Sequence, residues 1–170
     1  MQLVDLVPEF NLYEEYWKIY TQYENITPQY IADSTKIERS IIGEGAEIYG
    51  EVYNSVLGAG VVIGKGTVVR DSIIMQSTVV GEDCTIERSI IAEKCVIGDR
   101  VRMGQGEEAP STLNESVYAF GLVTIGDDSV IPSDVSIGKN TAIKGVTVAS
   151  EYVNGALPAG GYIVKEGELV

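Results

Sequence analysis

The tetrapeptides DSII at 71–74 and RSII at 88–91 are two readings of one repeat, and that repeat restricts the chain to a coiled, stacked fold. Serine followed by two aliphatic residues occurs at Ser40-Ile41-Ile42, Ser55-Val56-Leu57, Ser72-Ile73-Ile74 and Ser89-Ile90-Ile91, with offsets of 15, 17 and 17 residues. A finer beat lies inside each unit. Large aliphatic residues stand at Ile42, Ile48, Val52, Leu57, Ile63, Val69, Ile74, Val80, Ile86, Ile91 and Ile97, in steps of four to six. Two positions before each comes a mostly small residue: Ser40, Ala46, Gly50, Ser55, Val61, Thr67, Ser72, Thr78, Cys84, Ser89 and Cys95. In an extended chain residues i and i+2 face the same way, so each short strand points one small and one large side chain inward. Three strands and three corners close a triangle, and a chain that repeats it climbs by about 4.8 Å per coil. The spacing predicts an all-β chain, a parallel β-helix of triangular section. A helical reading fails because these beats do not follow a 3.6-residue period. Glycine directly follows the large residue at Gly43, Gly58, Gly64, Gly81, Gly98, Gly126 and Gly138, where it is expected to let the backbone turn the corner.

After Met103 the beat stops. Residues 104–122, GQGEEAPSTLNESVYAFGL, read as one inserted loop, and the beat resumes at Ile125, Ile131, Ile137 and Ile143 with inward partners Val123, Ser129, Val135 and Thr141. The expected organisation is a linker or cap over 1–30, a β-helix over 31–148 interrupted near 104–122, and a C-terminal tail over 149–170 that covers the late end. In the aromatic-rich N-terminal segment Tyr13, Tyr16, Trp17 and Tyr20 fall at helical spacing. This stripe is expected to cap the first coil; the alternative is packing on a neighbouring domain or subunit.

A formal charge of −13, from 25 acidic and 12 basic residues, repels phosphate backbones and anionic membranes, so neither is an expected partner. No export signal or membrane-length apolar run is visible, and a cytoplasmic location is expected. The chain contains no histidine, which removes His-ligated metals, His general bases and Ser/His or Cys/His pairs. Cys84 and Cys95 occupy the small inward slot and read as small hydrophobes. The inward serines have no base to activate them and are expected to bond neighbouring backbone. Gly64-Lys65-Gly66-Thr67 has neither the strand nor the helix context of a phosphate loop. Carboxylate pairs such as Glu82-Asp83, Glu107-Glu108 and Asp127-Asp128 read as solvated corner or loop charge.

WKIYT at 17–21, PQYI at 28–31, GEVYNSVLGAGVVIG at 50–64 and VVRDSIIM at 68–75 form an ordered string of motifs. In this string the chain resembles the C-terminal β-helix domain of bacterial glucose-1-phosphate adenylyltransferases, also called ADP-glucose pyrophosphorylases, of the hexapeptide-repeat superfamily. The resemblance covers nearly the whole chain and implies a left-handed winding, an exception to the right-handed crossover rule. It also implies a parent that makes ADP-glucose and pyrophosphate from ATP and glucose 1-phosphate for glycogen synthesis. The nucleotide chemistry, with its ATP and Mg²⁺, is implied to belong to an N-terminal α/β domain whose glycine-rich, basic loop has no counterpart here. The chain is therefore expected to be an excised regulatory and oligomerisation domain without activity or cofactor of its own, with Met1 an artificial start or an internal methionine. Its expected partners are its own catalytic domain, further subunits of a homo- or hetero-oligomer, and an anionic sugar-phosphate effector. Anion binding needs Arg or Lys, yet residues 103–122 hold none. Arg100 and Arg102, alternating with inward Val101, are the candidate effector-binding residues. The rival classes are a free-standing hexapeptide acyltransferase, which generally relies on a catalytic histidine, and a structural β-helix scaffold.

Overall fold

The computed structural model describes residues 26–165, together with Val4, Asp5 and Tyr16. Tyr13, Trp17 and Tyr20 of the aromatic stripe, and most of the expected cap, lie outside the described residues.

Two or three inward-pointing residues are too few to sustain a strand alone, so each strand exists by pairing with its copies one coil before and after. The described residues form twenty short strands in three parallel sheets. Sheet A stacks Tyr30–Ile31, Glu47–Ile48, Val62–Ile63, Val79–Val80, Val96–Ile97 and Val130–Ile131. Sheet B stacks Lys36–Glu38, Glu51–Tyr53, Val68–Arg70, Thr85–Glu87, Arg102–Gln105, Ser136–Gly138 and Ala156–Leu157. Sheet C stacks Ile41–Ile42, Val56–Leu57, Ile73–Ile74, Ser89–Ile91, Val123–Ile125, Thr141–Lys144 and Tyr162–Val164. Each of the first six coils visits A, B and C in turn, and equal places pair in register, as Val79 does with Val62 and Val96. The chain is thus a parallel β-solenoid.

The expected inward residues line the core. Ile48, Leu57, Ile63, Ile74, Ile86, Ile91, Ile97, Met103, Ile125, Ile131, Ile137 and Ile143 are all fully buried. Each such side chain contributes roughly 1.5–3 kcal/mol relative to exposure. Among the described residues the first coil has a neighbouring coil on one side only, and Ile37 and Ile42 there are half-buried.

The serine column is a hydrogen-bond ladder. The Ser55, Ser72 and Ser89 backbone N–H groups donate to the Oγ of Ser40, Ser55 and Ser72 at 3.1, 3.2 and 3.1 Å. Each hydroxyl donates in turn to the carbonyl two residues before it, as Ser72 does to Arg70 O at 2.7 Å. Among the described residues no buried side-chain polar atom lacks a partner, which removes the several-kcal/mol penalty of an unpaired polar group.

The corner geometry differs from the sequence expectation. None of Gly43, Gly58, Gly64, Gly81 and Gly98 has a positive φ. The left-handed residue comes third after the large aliphatic in six-residue steps, at Gly60, Gly66, Ser77, Asp83, Lys94, Arg100 and Asp128. In five-residue steps it comes second, at Arg39, Asn54, Asp71 and Arg88. Glycine after the large residue serves closeness instead: a Cβ on Gly64 would lie 2.4 Å from Gly81 O, and one on Gly43 2.5 Å from Gly58 C.

The segment from 149 is also more than a tail. Ala156–Leu157 pairs with Ser136–Ile137 and Tyr162–Val164 with Ala142–Lys144, so the stack continues to Val164. The beat is hidden because this coil reaches sheet A only through a bridge from Val146 to Val130 and then makes a 3-10 turn at Ala149–Glu151. Lys165 fastens the coil, its Nζ 3.1 Å from Glu151 Oε2 and donating to Val146 O. The strand Arg102–Gln105 runs into the start of the expected loop, and no strand occurs from Gly106 to Leu122. No helix among the described residues is long and apolar enough to cross a membrane.

Candidate functional site

With the interior filled by aliphatic side chains and satisfied hydroxyls, any ligand must meet the outside, so the site is built from corners, outer faces and the loop. Arg100 and Arg102 lie on adjoining but different surfaces. Arg100 sits at a corner with φ 56°, in the column Gly66–Asp83–Arg100–Asp134 that joins sheets A and B. Its guanidinium grips the Asp134 carboxylate with two hydrogen bonds, Nε to Oδ1 at 2.6 Å and Nη2 to Oδ2 at 2.7 Å. Asp134 holds the arginine above its ordinary pKa, and Arg100 holds the Asp134 carboxyl below its own. This fork is the strong form of ion pairing, so Arg100 is committed within the stack. Arg102 points from the flat outer face of sheet B, exposed between Thr85 and Ser136.

The loop is pinned at both legs. The Arg88 guanidinium donates to Phe120 O, the Gly121 N–H to Asn140 Oδ1 at 2.8 Å, and Asn140 Nδ2 to Ala109 O at 2.9 Å. Thr112 bonds Gly160 O through both N–H and Oγ1 at 2.8 Å. A shallow cleft of about 310 Å³ follows the loop, lined by Glu108, Pro110, Glu115, Tyr118 and Asn140. Lys139 stands 3.7 Å from Glu108. The loop's carboxylates make it a poor anion receptor.

A second basic group escaped the sequence reading. At the corner between sheets B and C, the Arg70 guanidinium lies 4.1 Å over the Tyr53 ring, beside Arg39, in a groove of about 310 Å³. Arg39 donates to Asn54 Oδ1 at 3.4 Å and stands 3.5 Å from Asp5 Oδ1, and Asn54 donates to Asp71. The signal was present: Arg39, Asn54, Asp71 and Arg88 each precede a ladder serine, and a shared place in the repeat means a shared corner.

The cysteines and serines hold no reactive arrangement. Cys84 Sγ donates to Gly98 O at 3.1 Å and Cys95 Sγ to Gly126 O at 3.0 Å. Burial pushes both thiols up, away from the thiolate that a nucleophile needs. No group of three or more potential metal-ligating side chains occurs among the described residues.

Comparison with known proteins agrees with this outward-facing, coil-built chain. The family described as "GlmU-like, C-terminal hexapeptide" matches residues 27–125. The glucose-1-phosphate adenylyltransferase of Lachnospira eligens is 58% identical over 99% of this chain and 40% of its own length. Those of Thermosipho africanus and Thermotoga maritima are 55% and 52% identical, over 96% and 99% of this chain and 39% and 40% of theirs. The chain thus spans about 40% of the length of these curated relatives, and it corresponds to their C-terminal domain. By fold, repeat and this match, the chain belongs to the GlmU-like C-terminal hexapeptide family.

Proposed function

We propose that this chain serves as the regulatory and oligomerisation domain of a glucose-1-phosphate adenylyltransferase, the enzyme that converts ATP and glucose 1-phosphate to ADP-glucose and pyrophosphate on the way to glycogen. The observation that carries this reading is 58% identity to such an enzyme across 99% of the chain. ATP and Mg²⁺ are assigned to the part of the relatives that this chain does not span, its partners are that catalytic part and further subunits, and its place is the cytoplasm. The left-handed sense of the solenoid is likewise taken from the family. A solenoid suits such work because its wide faces offer docking area while its interior supplies only rigidity. Purified chain supplied with ATP, glucose 1-phosphate and Mg²⁺ is expected to form no ADP-glucose above a blank. Formation of ADP-glucose would overturn the division of labour.

For the anionic effector, Arg102 is the stronger of the two candidates because Asp134 already occupies Arg100. Titration calorimetry with fructose 1,6-bisphosphate is expected to show weak binding that falls about tenfold in Arg102→Ala, the value of one charge-assisted contact. Unchanged heats in the variant would remove Arg102 from the site.

A further inference from the structure

One corner of the solenoid is shorter than its copies. Between sheets A and B the inward residue recurs after six positions from Ile31 to Ile37, Ile63 to Val69, Val80 to Ile86, Ile97 to Met103 and Ile131 to Ile137. In the second coil Val52 follows Ile48 after only four. Both ends of this short corner keep their register, Ile48 with Ile31 and Ile63, and Val52 with Ile37 and Val69. The two missing residues therefore come out of the corner itself, and the second coil is recessed between the corners of the first and third. Gly50, within the short corner, is buried, and a Cβ on it would strike the Thr67 carbonyl. The recess is a groove of about 480 Å³, larger than those beside Arg70 and along the loop and of a size that takes small ligands.

Its lining is polar with one aromatic wall. Ser34 of the first coil stands on one side, Lys65, Glu82 and Asp83 of the third and fourth on the other, and Tyr49 and Glu51 between. Tyr49 is 36% exposed, yet its ring is held: the hydroxyl donates to Glu47 Oε2 at 3.0 Å, and the Tyr30 ring lies 5.6 Å away. Glu51 is half-buried and fixed by the Tyr53 hydroxyl, which donates to its Oε2 at 2.7 Å. No ion pair among the described residues engages Lys65, Glu82 or Asp83.

This lining discriminates between ligand classes. Three carboxylates repel an anion. An aliphatic ligand would take those carboxylates out of water without pairing them. Lys65 opposes an organic cation, and a single tyrosine ring is not the cage that such a cation calls for. An uncharged sugar meets none of these objections. Its C–H face can lie on the tyrosine ring, while its hydroxyls donate to the carboxylates and accept from the ammonium.

We infer that the recess at the second coil is a binding site for a neutral hexose chain, with Tyr49 as its platform and Glu51 and Lys65 among its hydrogen-bonding partners. The inference stands apart from the enzyme assignment, since it needs only the short corner and its lining, and an assay for ADP-glucose does not bear on it.

The test titrates the whole chain with maltotriose, an uncharged glucose trimer, followed by saturation-transfer NMR. Binding is expected with a Kd of about 1 mM, the order of a small open site. Tyr49→Ala is expected to weaken it about tenfold, the value of one aromatic contact. Glu51→Gln is expected to weaken it too, and Tyr162→Ala, which removes an exposed tyrosine from the last coil, to leave it unchanged. These side chains lie outside the core, so the variants are expected to melt like wild type; should Tyr49→Ala not fold, Glu51→Gln carries the comparison. Spermidine and inorganic phosphate are expected not to displace the sugar. Absence of maltotriose binding, equal binding by wild type, Tyr49→Ala and Glu51→Gln, or displacement by spermidine or phosphate would each overturn the proposal.

Discussion

Replacing Ile74 with aspartate is expected to abolish the cooperative thermal transition. Ile74 lies on sheet C in the third coil, fully buried, in register with Leu57 and Ile91. Losing a buried aliphatic of this size costs about 2–5 kcal/mol. The carboxylate adds several more, because nothing in this aliphatic interior can pair with it and it must either stay charged in a dry medium or take up a proton. Domains of this kind hold only about 5–15 kcal/mol in reserve. The position matters as much as the residue. In a one-dimensional stack each coil is held by its two neighbours, so failure at the third coil also removes the support of the coils on either side. Ile73→Asp, one residue away on the outward side, is expected to fold, since a charge there is solvated. Circular dichroism on both variants makes the comparison, with Ile74→Val, expected to lower Tm by a few degrees, as the milder form if the aspartate variant is insoluble. A soluble Ile74→Asp chain with the wild-type melting curve would refute the inward assignment.

The repeat made the interior readable because burial acts on every coil alike: one small and one large residue two apart recur until the pattern exceeds chance. What escaped was set by contacts between coils that no single step reveals. The last coil broke the beat because it meets sheet A only through the Val146–Val130 bridge and then makes a 3-10 turn at Ala149–Glu151 before it reaches sheet B. Arg100 looked available because Asp134 stands 34 residues away in sequence, yet one coil and the inserted loop separate them, and the corner column sets the two side chains face to face. Arg39 and Arg70 were overlooked for the converse reason. Each is ordinary alone, and only the stacking of the corners between sheets B and C brings them to one groove with Tyr53. The ladder serines were read correctly because their chemistry was decided by absence of any histidine and by inward direction, both visible in the sequence.

Gly64→Ala is expected to cost about 2 kcal/mol, whereas Gly60→Asn, four residues earlier, is expected to change stability by no more than about 0.5 kcal/mol. The two glycines differ in what confines them. Gly60 has φ 66°, but its missing Cβ would have only the Ser77 hydroxyl near it, at 4.0 Å. Non-glycine residues already take that corner place at Ser77, Asp83, Lys94 and Arg100, and asparagine tolerates the left-handed region better than most. Gly64 has no need of a positive φ, yet a methyl there would meet Gly81 O at 2.4 Å and Gly81 C at 2.5 Å. Those are backbone atoms that cannot rotate away, so the coils themselves must separate. Gly81 and Gly98 continue the column, and it ends at Pro132, where the next coil keeps only an isolated bridge to sheet A and leaves room for a side chain. Met75 and Ala92 hold the matching place at the corner between sheets C and A, where Gly43 and Gly58 in the first two coils are as closely approached by the next coil, so the restriction belongs to particular coils and not to every hexapeptide step. Urea unfolding of the two variants separates the causes. A larger loss at Gly60 than at Gly64 would mean that backbone conformation, and not the approach of the next coil, selects glycine after the large aliphatic residue.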